Sequence, residues 1–347
     1  MLHVGLDLSR HRLDVHALDD EGETVEVVAS PPDAAGLRSL AERPWARGQR
    51  VRATIESMNG ARFVHDQLEL AGWEVAIADA QKVKGFAPLA CKTDRIDAWV
   101  LAELTRRDLV PEIWLPSPEV RAERERARWR LHLVRHRVAL KNRIHATLLA
   151  FGKPCVMSDL FGVGGRDLLE RLEFPEPWAS NLDAALTLID DLSDQITDCE
   201  RELRRLGADH TYVPTLMTTP GIAWVLSYTI AAEIGDIDRF ASPKKLVAYT
   251  GLCPRVHQSG GSDHRGPLAK NGPKYLRWAY IEAATHAARH PAYRDRYQAT
   301  KARLGRQRGA KVARVDIARR VAEANWHMLT KGEPFAPAGP ARSALVA

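Results

Sequence analysis

The chain has 347 residues, 45% hydrophobic and 27% charged, enough for two or three cored domains; a peptide hormone, a disulfide mini-scaffold and a disordered chain are excluded. No apolar run approaches the ~18 residues that cross a bilayer, and MLHVGLDLSRHRLD has no secretory pattern. Cys91, Cys155, Cys199 and Cys253 form no CxxC pair, so a cytoplasmic protein with reduced thiols and no membrane contact is expected. The net charge of +6 is uneven: residues 1–115 carry 14 Lys+Arg against 19 Asp+Glu, residues 116–206 carry 15 of each, and residues 207–347 carry 21 against 10. That split suggests an acidic part gathering carboxylates for a metal and a basic part holding a polyanion.

In chain order, LHVGLDLS, LDVHALD and TVEVVAS read as strands across short polar turns. DAAGLRSLAER reads as a helix, RVRATIES as a strand, ARFVHDQLELAG as a helix and WEVAIAD as a strand. Hairpin strands followed by alternating strand and helix predict an α/β sheet of mixed direction over residues 1–115, the outline of a ribonuclease-H-like fold. Thr93 to Arg107 has helical spacing, with Asp94 and Asp97 in a first turn whose dipole favours carboxylates.

PEIWLPSPEV reads as a linker, and residues 119–149 as a long basic helix. After a Gly/Pro-rich break, Leu182, Ala185, Ile189, Leu192, Ile196, Cys199, Leu203 and Leu206 form a heptad seam. Its narrowness and charged flanks favour a coiled coil between two copies over a hairpin with the first long helix, so residues 116–206 are expected to be a helical linker and dimerisation segment. Residues 207–335 read as a mainly α domain in which TTPGIAWVLSYTIAAEIGD resembles a helix-hairpin-helix, its turn amides facing a phosphate. QSGGSDHRG reads as a Gly/Ser loop. The segment 289–320 holds eleven Lys+Arg against Asp295 and Asp316, and residues 336–347 form a flexible Pro/Ala-rich tail.

Asp7 lies on the first strand and Glu56 at the end of another, while Asp94 and Asp97 are one helical turn apart, where side chains start ~5 to 6 Å from each other. Any one of these acids alone reads as a cap or a solvated charge. Four converging carboxylates would repel, so the set expects divalent cations; hard oxygen ligands select Mg²⁺, with Mn²⁺ as a substitute. Two such ions clamp the attacking and leaving oxygens of a phosphodiester. Ser259, next to Gly260-Gly261 and near Arg265, Lys270, Lys274 and Arg277, is a candidate nucleophile or a simple phosphate contact. Ser242, Ser262 and Thr250 are weaker candidates, and His257, His264, a carboxylate or a metal-bound hydroxide are candidate bases. Arg303, Arg306, Arg308 and Lys311 complete the residues expected to bind nucleic acid.

GLDLS around Asp7, TIES around Glu56 and KTDRIDA carrying Asp94 and Asp97 resemble the DEDD tetrad of the insertion-sequence transposases known as bridge-RNA-guided recombinases. TTPGI, GDIDRF, LVAYTGLCPR, QSGG and KNGPKYLRW are similar to their C-terminal transposase domain, and the match runs in order over nearly the whole chain. The resemblance implies a RuvC-like domain, a helical dimerising segment and a transposase domain. It implies Mg²⁺ on Asp7, Glu56, Asp94 and Asp97, and attack by Ser259 on DNA to give a phosphoserine. It further implies double-stranded donor and target DNA, a guide RNA pairing with both, a homo-oligomer in which different subunits supply acids and serine, and a bacterial, nucleoid-associated location. Two positions depart from the pattern: Ala223 follows Gly221-Ile222 where a second glycine is common, and Ala269 stands where serine is frequent. Three rivals remain: a RuvC-like junction-resolving endonuclease that uses water, an actin-like ATPase, and a non-enzymatic nucleic-acid-binding scaffold. The ATPase lacks both a second DxG motif and a GxxxxGK[ST] loop in this sequence.

Overall fold

Alternation along the first strands gives them one apolar and one more polar face. A computed structural model describes residues 1–84, 94–153, 157–259 and 262–337, and the chain divides into two units, Met1–Leu115 and Pro116–Ala347. In the first unit, β1 (Leu2–Leu8), β2 (Leu13–Leu18), β3 (Thr24–Ser30), β4 (Val51–Glu56) and β5 (Glu74–Ala78) form one sheet in the order β3-β2-β1-β4-β5. The β1–β2 and β2–β3 pairs are antiparallel, and the β1–β4 and β4–β5 pairs are parallel. Apolar side chains of the strands, among them Val4, Leu6, Val15, Ala53 and Ile55, are buried with Leu37 and Leu40 of helix α1 (Ala34–Ala41) and with Val64 and Leu68 of α2 (Ala61–Leu70). A short helix, α3 (Ala80–Val83), follows β5.

The opposite face carries α4 (Asp94–Arg106). A Cβ on Gly5 would stand 1.8 Å from Ala98 O and 2.5 Å from Ala102 N, so only glycine lets this helix lie on β1. Thr105 Oγ1 is 2.7 Å from both Thr54 Oγ1 and Leu101 O. Arg106 reaches Asp20 O, and Asp20 itself binds the chain amine and His3 at the other end of β1. These contacts run α4 antiparallel to β1, with its first turn toward the C-terminal ends of β1 and β4. Glu103, hydrogen-bonded by Arg106 and then Arg107, is held down to about 2, so this anchor stays ion-paired through neutral and mildly acidic pH. Gly5→Ala is expected to lift α4 from the sheet and cost about 3 kcal/mol or more, a fall in melting temperature of about 10 °C or more by calorimetry.

In the second unit, α5 (Pro118–Ala150) and α7 (Trp178–Ala208) pair antiparallel, with α6 (Val163–Arg171) between them in sequence. Arg126 with Glu202, Arg130 with Glu200 and Arg137 with Ser193 mark the register. The heptad seam expected to join two copies is covered within this chain. Leu182, Ala185, Ile189, Ile196 and Leu203 are buried, and Leu182, Ala185 and Ile189 share a core with Ile144 and Leu148 of α5. A seam of this period asks for a helical partner, and α5 supplies one.

Helices α8 (Val213–Met217), α9 (Trp224–Ile234), α10 (Pro243–Thr250), α11 (Lys274–Ala287) and α12 (Pro291–Lys331) build the other core, with the strands β6 (Pro254–Ser259) and β7 (Ser262–Leu268) paired antiparallel. The Pro-Gly turn before α9, read from sequence as facing a phosphate, packs on protein at its glycine. Gly221 has φ +83°, and a Cβ there would lie 2.4 Å from Ala283 O of α11. Glu233 of α9 is wholly buried and accepts from Arg128 Nε at 2.7 Å and Nη2 at 3.0 Å. The basic face of α5 therefore ties down α9.

Helix α12 folds back on itself. Gly305 takes φ +73°, ψ −176°, and Arg296 Nε reaches Asp316 Oδ2 at 2.6 Å, although 20 residues of straight helix would separate them by about 30 Å. A Cβ on Gly309 would meet Lys301 O at 2.3 Å, so the two arms touch close to the bend. Among the described residues no helix is long and apolar enough to cross a membrane.

Candidate active site

Asp7, next to last on β1, and Glu56, last on β4, lie at the C-terminal ends of neighbouring parallel strands. The β1–β4 register runs from Leu2↔Val51 to Leu6↔Ile55, so Asp7 and Glu56 come next, on the face of Gly5 and Thr54 that α4 covers. Both are half-buried. The step from Ala98 back to Asp94 is about one turn, ~5.4 Å, and the step from Gly5 on to Asp7 is ~6.6 Å, so the first turn of α4 and the ends of the strands lie at the same end of the face. Asp97 is half-buried beside Ala98, whereas the side chain of Asp94 lies outside the described residues. Among the described residues no three His, Cys, Asp or Glu side chains already form a metal-ligating group. The donor set is nonetheless all hard oxygen, which fits a divalent ion of the Mg²⁺ kind.

A further carboxylate escaped the sequence reading. Asp14 stands directly opposite Asp7 on the antiparallel ladder, is 5% exposed, and takes Arg12 Nη2 at 2.6 Å and Nε at 3.0 Å. Only the hairpin register brings residue 14 level with residue 7, and nothing in LDVHALD announces that pairing.

Ser259 is the last residue of β6, exposed and paired with Ser262. What reads in sequence as a Gly/Ser loop is the tip of a β-hairpin; Gly260 and Gly261 at that tip lie outside the described residues. His257 and His264 pair with each other two positions back along the ribbon, while their side chains and those of Asp263 and Arg265 are not described. The base of the ribbon is interlocked. Gly251 has φ +69° and its Cβ would lie 2.2 Å from Asn271 O; Gly272 has φ +85° and its Cβ would lie 2.0 Å from Tyr249 O. Arg277 Nη1 donates to Thr250 O at 3.3 Å and to Lys270 O at 3.1 Å, and Ala269 N donates to Cys253 O at 2.8 Å. YTGL and KNGP thus supply the clamp from which Ser259 projects.

Of the weaker nucleophile candidates, Thr250 is fully buried, with its hydroxyl 2.6 Å from Val247 O, and Ser242 opens α10. Among the basic residues, Arg277 is engaged with backbone carbonyls rather than offered outward. Lys270 and Lys274 are exposed. Arg303, Arg306, Arg308 and Lys311 are exposed around the bend at Gly305 and so cluster at one end of the folded α12. Cys199 and Cys253 are free thiols; Cys91 and Cys155 lie outside the described residues.

Two family profiles match the chain in order. Residues 4–152 match the transposase family of the DEDD domain of IS110 elements, and residues 213–298 match the "Transposase IS116/IS110/IS902 family". The chain belongs to the IS110/IS116 family of transposases. The first profile covers Asp7, Glu56, Asp94 and Asp97 and continues through α5; the second covers the ribbon with Ser259. This transposase is 27% identical to the transposase for insertion sequence element IS1328 of Yersinia enterocolitica, over 96% of this chain and 98% of the relative. It is 26% identical to a probable family 20 transposase of Pseudomonas aeruginosa, again over 96% and 98%. A pilin gene-inverting protein of Moraxella bovis is 34% identical over 112 residues, 31% of this chain and 33% of that protein. The N-terminal sheet is accordingly the ribonuclease-H-like DEDD domain of the family, followed by a mostly helical region.

Proposed function

We propose that this transposase cuts and rejoins DNA by attack of the Ser259 hydroxyl on a phosphodiester, assisted by a divalent ion, Mg²⁺, on Asp7, Glu56, Asp94 and Asp97. The observation that carries the reading is the common placement of these acids: two at adjacent strand ends, and two in the first turn of the helix seated over that face. When bound, the ion stabilises the charge that builds on the phosphate oxygens. The Ser259 oxygen forms a bond to phosphorus as a sugar hydroxyl leaves, and a base takes the serine proton. His257 and His264, level with each other two positions from the serine pair, are the nearest candidates by register. A hydroxyl from a second strand then displaces the serine. Because the phosphodiester energy is retained in the adduct, rejoining needs no nucleotide.

The substrate is double-stranded donor and target DNA, in keeping with relatives named as transposases and as a gene-inverting protein. The reading includes a homo-oligomer in which different copies supply acids and serine, and a structured guide RNA. RNA sequenced from the purified protein should contain one species with two loops complementary to the element's junctions. Asp7→Asn and Asp97→Asn should each abolish strand exchange on a plasmid carrying the element's ends; full exchange by either would mean that the four acids are inert in the chemistry. Mixing Asp7→Asn with Ser259→Ala protein should restore exchange if the two halves come from different copies.

Charge reversal of Arg303, Arg306, Arg308 and Lys311 should flatten the dependence of DNA affinity on salt by up to about three to four in slope, since each phosphate neutralised contributes about 0.9. An unchanged slope in gel-shift titrations would place the polyanion elsewhere.

A further inference from the structure

We propose that the groove between α5 and the start of α11 is a stacking site for an unpaired nucleotide of single-stranded DNA or RNA. The kind of ligand rests on the transposase reading above; the site itself rests on its own geometry. Trp129 is 48% exposed, and its indole stacks on the His132 ring with centroids 5.5 Å apart and planes 22° from parallel. His136 meets His132 edge-on at 4.4 Å, so the rings continue along α5. Trp129 and His132 line the groove with Glu125, Arg128, Lys274 and Tyr275. Three cations crowd the Tyr275 ring: Arg128 at 4.9 Å, Lys274 at 5.1 Å and Arg135 at 5.5 Å.

Arg128 is committed to the buried Glu233, which leaves the exposed Arg135 and Lys274 facing a single lining carboxylate, Glu125. Flat rings beside cations that outnumber the carboxylates are the combination that holds a base by its face and the flanking phosphates by charge. An apolar protein partner would call for aliphatic lining, and none of the six lining residues is aliphatic. The place is also chemically apt. Lys274 opens α11 two residues beyond Gly272, which locks the base of the ribbon carrying Ser259. Strand exchange requires bases to leave one duplex before joining another, and an unpaired base gains most from a ring on which to lie.

The test is fluorescence anisotropy of the full chain, without divalent ions, against oligothymidylate, oligouridylate and a duplex hairpin of equal length. Trp129→Ala should weaken single-strand binding about five- to a hundredfold and leave duplex binding unchanged, while Trp129→Phe keeps most of the affinity. Lys274→Glu should weaken the same probes and lower their salt slope. Loss for both sugars assigns base stacking in general, and loss for one alone names DNA or RNA as the source. Undiminished single-strand binding by Trp129→Ala overturns the proposal. So does a change in its sedimentation at unchanged binding, which would make this face a contact between copies. Since neither metal nor Ser259 enters the assay, failure here leaves the strand-transfer reading standing, and the inactive Ser259→Ala protein should still pass.

Discussion

Replacing Ser259 with Ala should remove strand exchange and the detergent-resistant protein–DNA adduct together, by more than about a thousandfold, while gel-shift affinity stays within a few-fold of wild type. Ser259 ends an exposed strand and supports no core, so the substitution should leave the melting temperature unmoved. Nothing else on the ribbon is placed to take over at the same register except Ser262, its pairing partner, so the double Ser259→Ala, Ser262→Ala protein is the control for substitution of one hydroxyl by the other. Persistent cleavage without an adduct would mean that water is the nucleophile and that the serine only touches phosphate. The acids would then serve a hydrolytic nuclease.

Removing the carboxylate of Glu233 should strongly destabilise the second unit. The residue is fully buried; Arg128 grips its side chain through two nitrogens, and Arg124 donates to Ala232 O at 2.9 Å and to Glu233 O at 2.7 Å. Glu233→Ala leaves the half-buried Arg128 guanidinium without its partner and a void at a fully buried position, together a cost of about 3 to 5 kcal/mol, and in a unit of this size each kcal/mol lowers the melting temperature by about 2 to 4 °C. A fall of roughly 6 to 20 °C is expected by calorimetry of the full chain. Pairing Glu233→Leu with Arg128→Met should recover much of it, because two apolar side chains need no partner for a buried charge. If Glu233→Ala melts with wild type, α5 is not tied to α9 through this ion pair.

The N-terminal sheet was legible because period-two alternation survives wherever one face is buried, and Val4, Leu6, Val15, Ala53 and Ile55 all obey it. The helix that closes the other face was legible from its spacing, but the reason it can sit so near β1 is the missing side chain of Gly5, which nothing in GLDLS sets apart from an ordinary glycine. The ribbon carrying Ser259 was not legible. HQSGGSDHR has no apolar alternation, its described side chains Gln258, Ser259 and Ser262 are exposed, and pairing makes it a strand. The fold-back of α12 hides for a related reason: one glycine in RLGRQRG is tolerated inside a helix, and only the folded chain, with Arg296 against Asp316 and Gly309 against Lys301, shows that it is a bend. The seam on α7 marks a face that needs a helix, but periodicity does not say whose. Arg277, expected to contact nucleic acid, and Arg128, one cation of the long basic helix, are engaged by the protein itself, through two carbonyls and through Glu233. A sequence shows that a cation exists, and only packing shows what it answers.

The central claim is that acids from two strands and one helix meet around a divalent ion. Anomalous scattering from crystals of the Ser259→Ala protein bound to DNA and soaked in Mn²⁺ tests it directly. A peak bounded by Asp7, Glu56, Asp94 and Asp97, lost in Asp7→Asn crystals, is the result expected. Ordered DNA with all four carboxylates in density and no metal among them, or with the metal held elsewhere, would contradict the account.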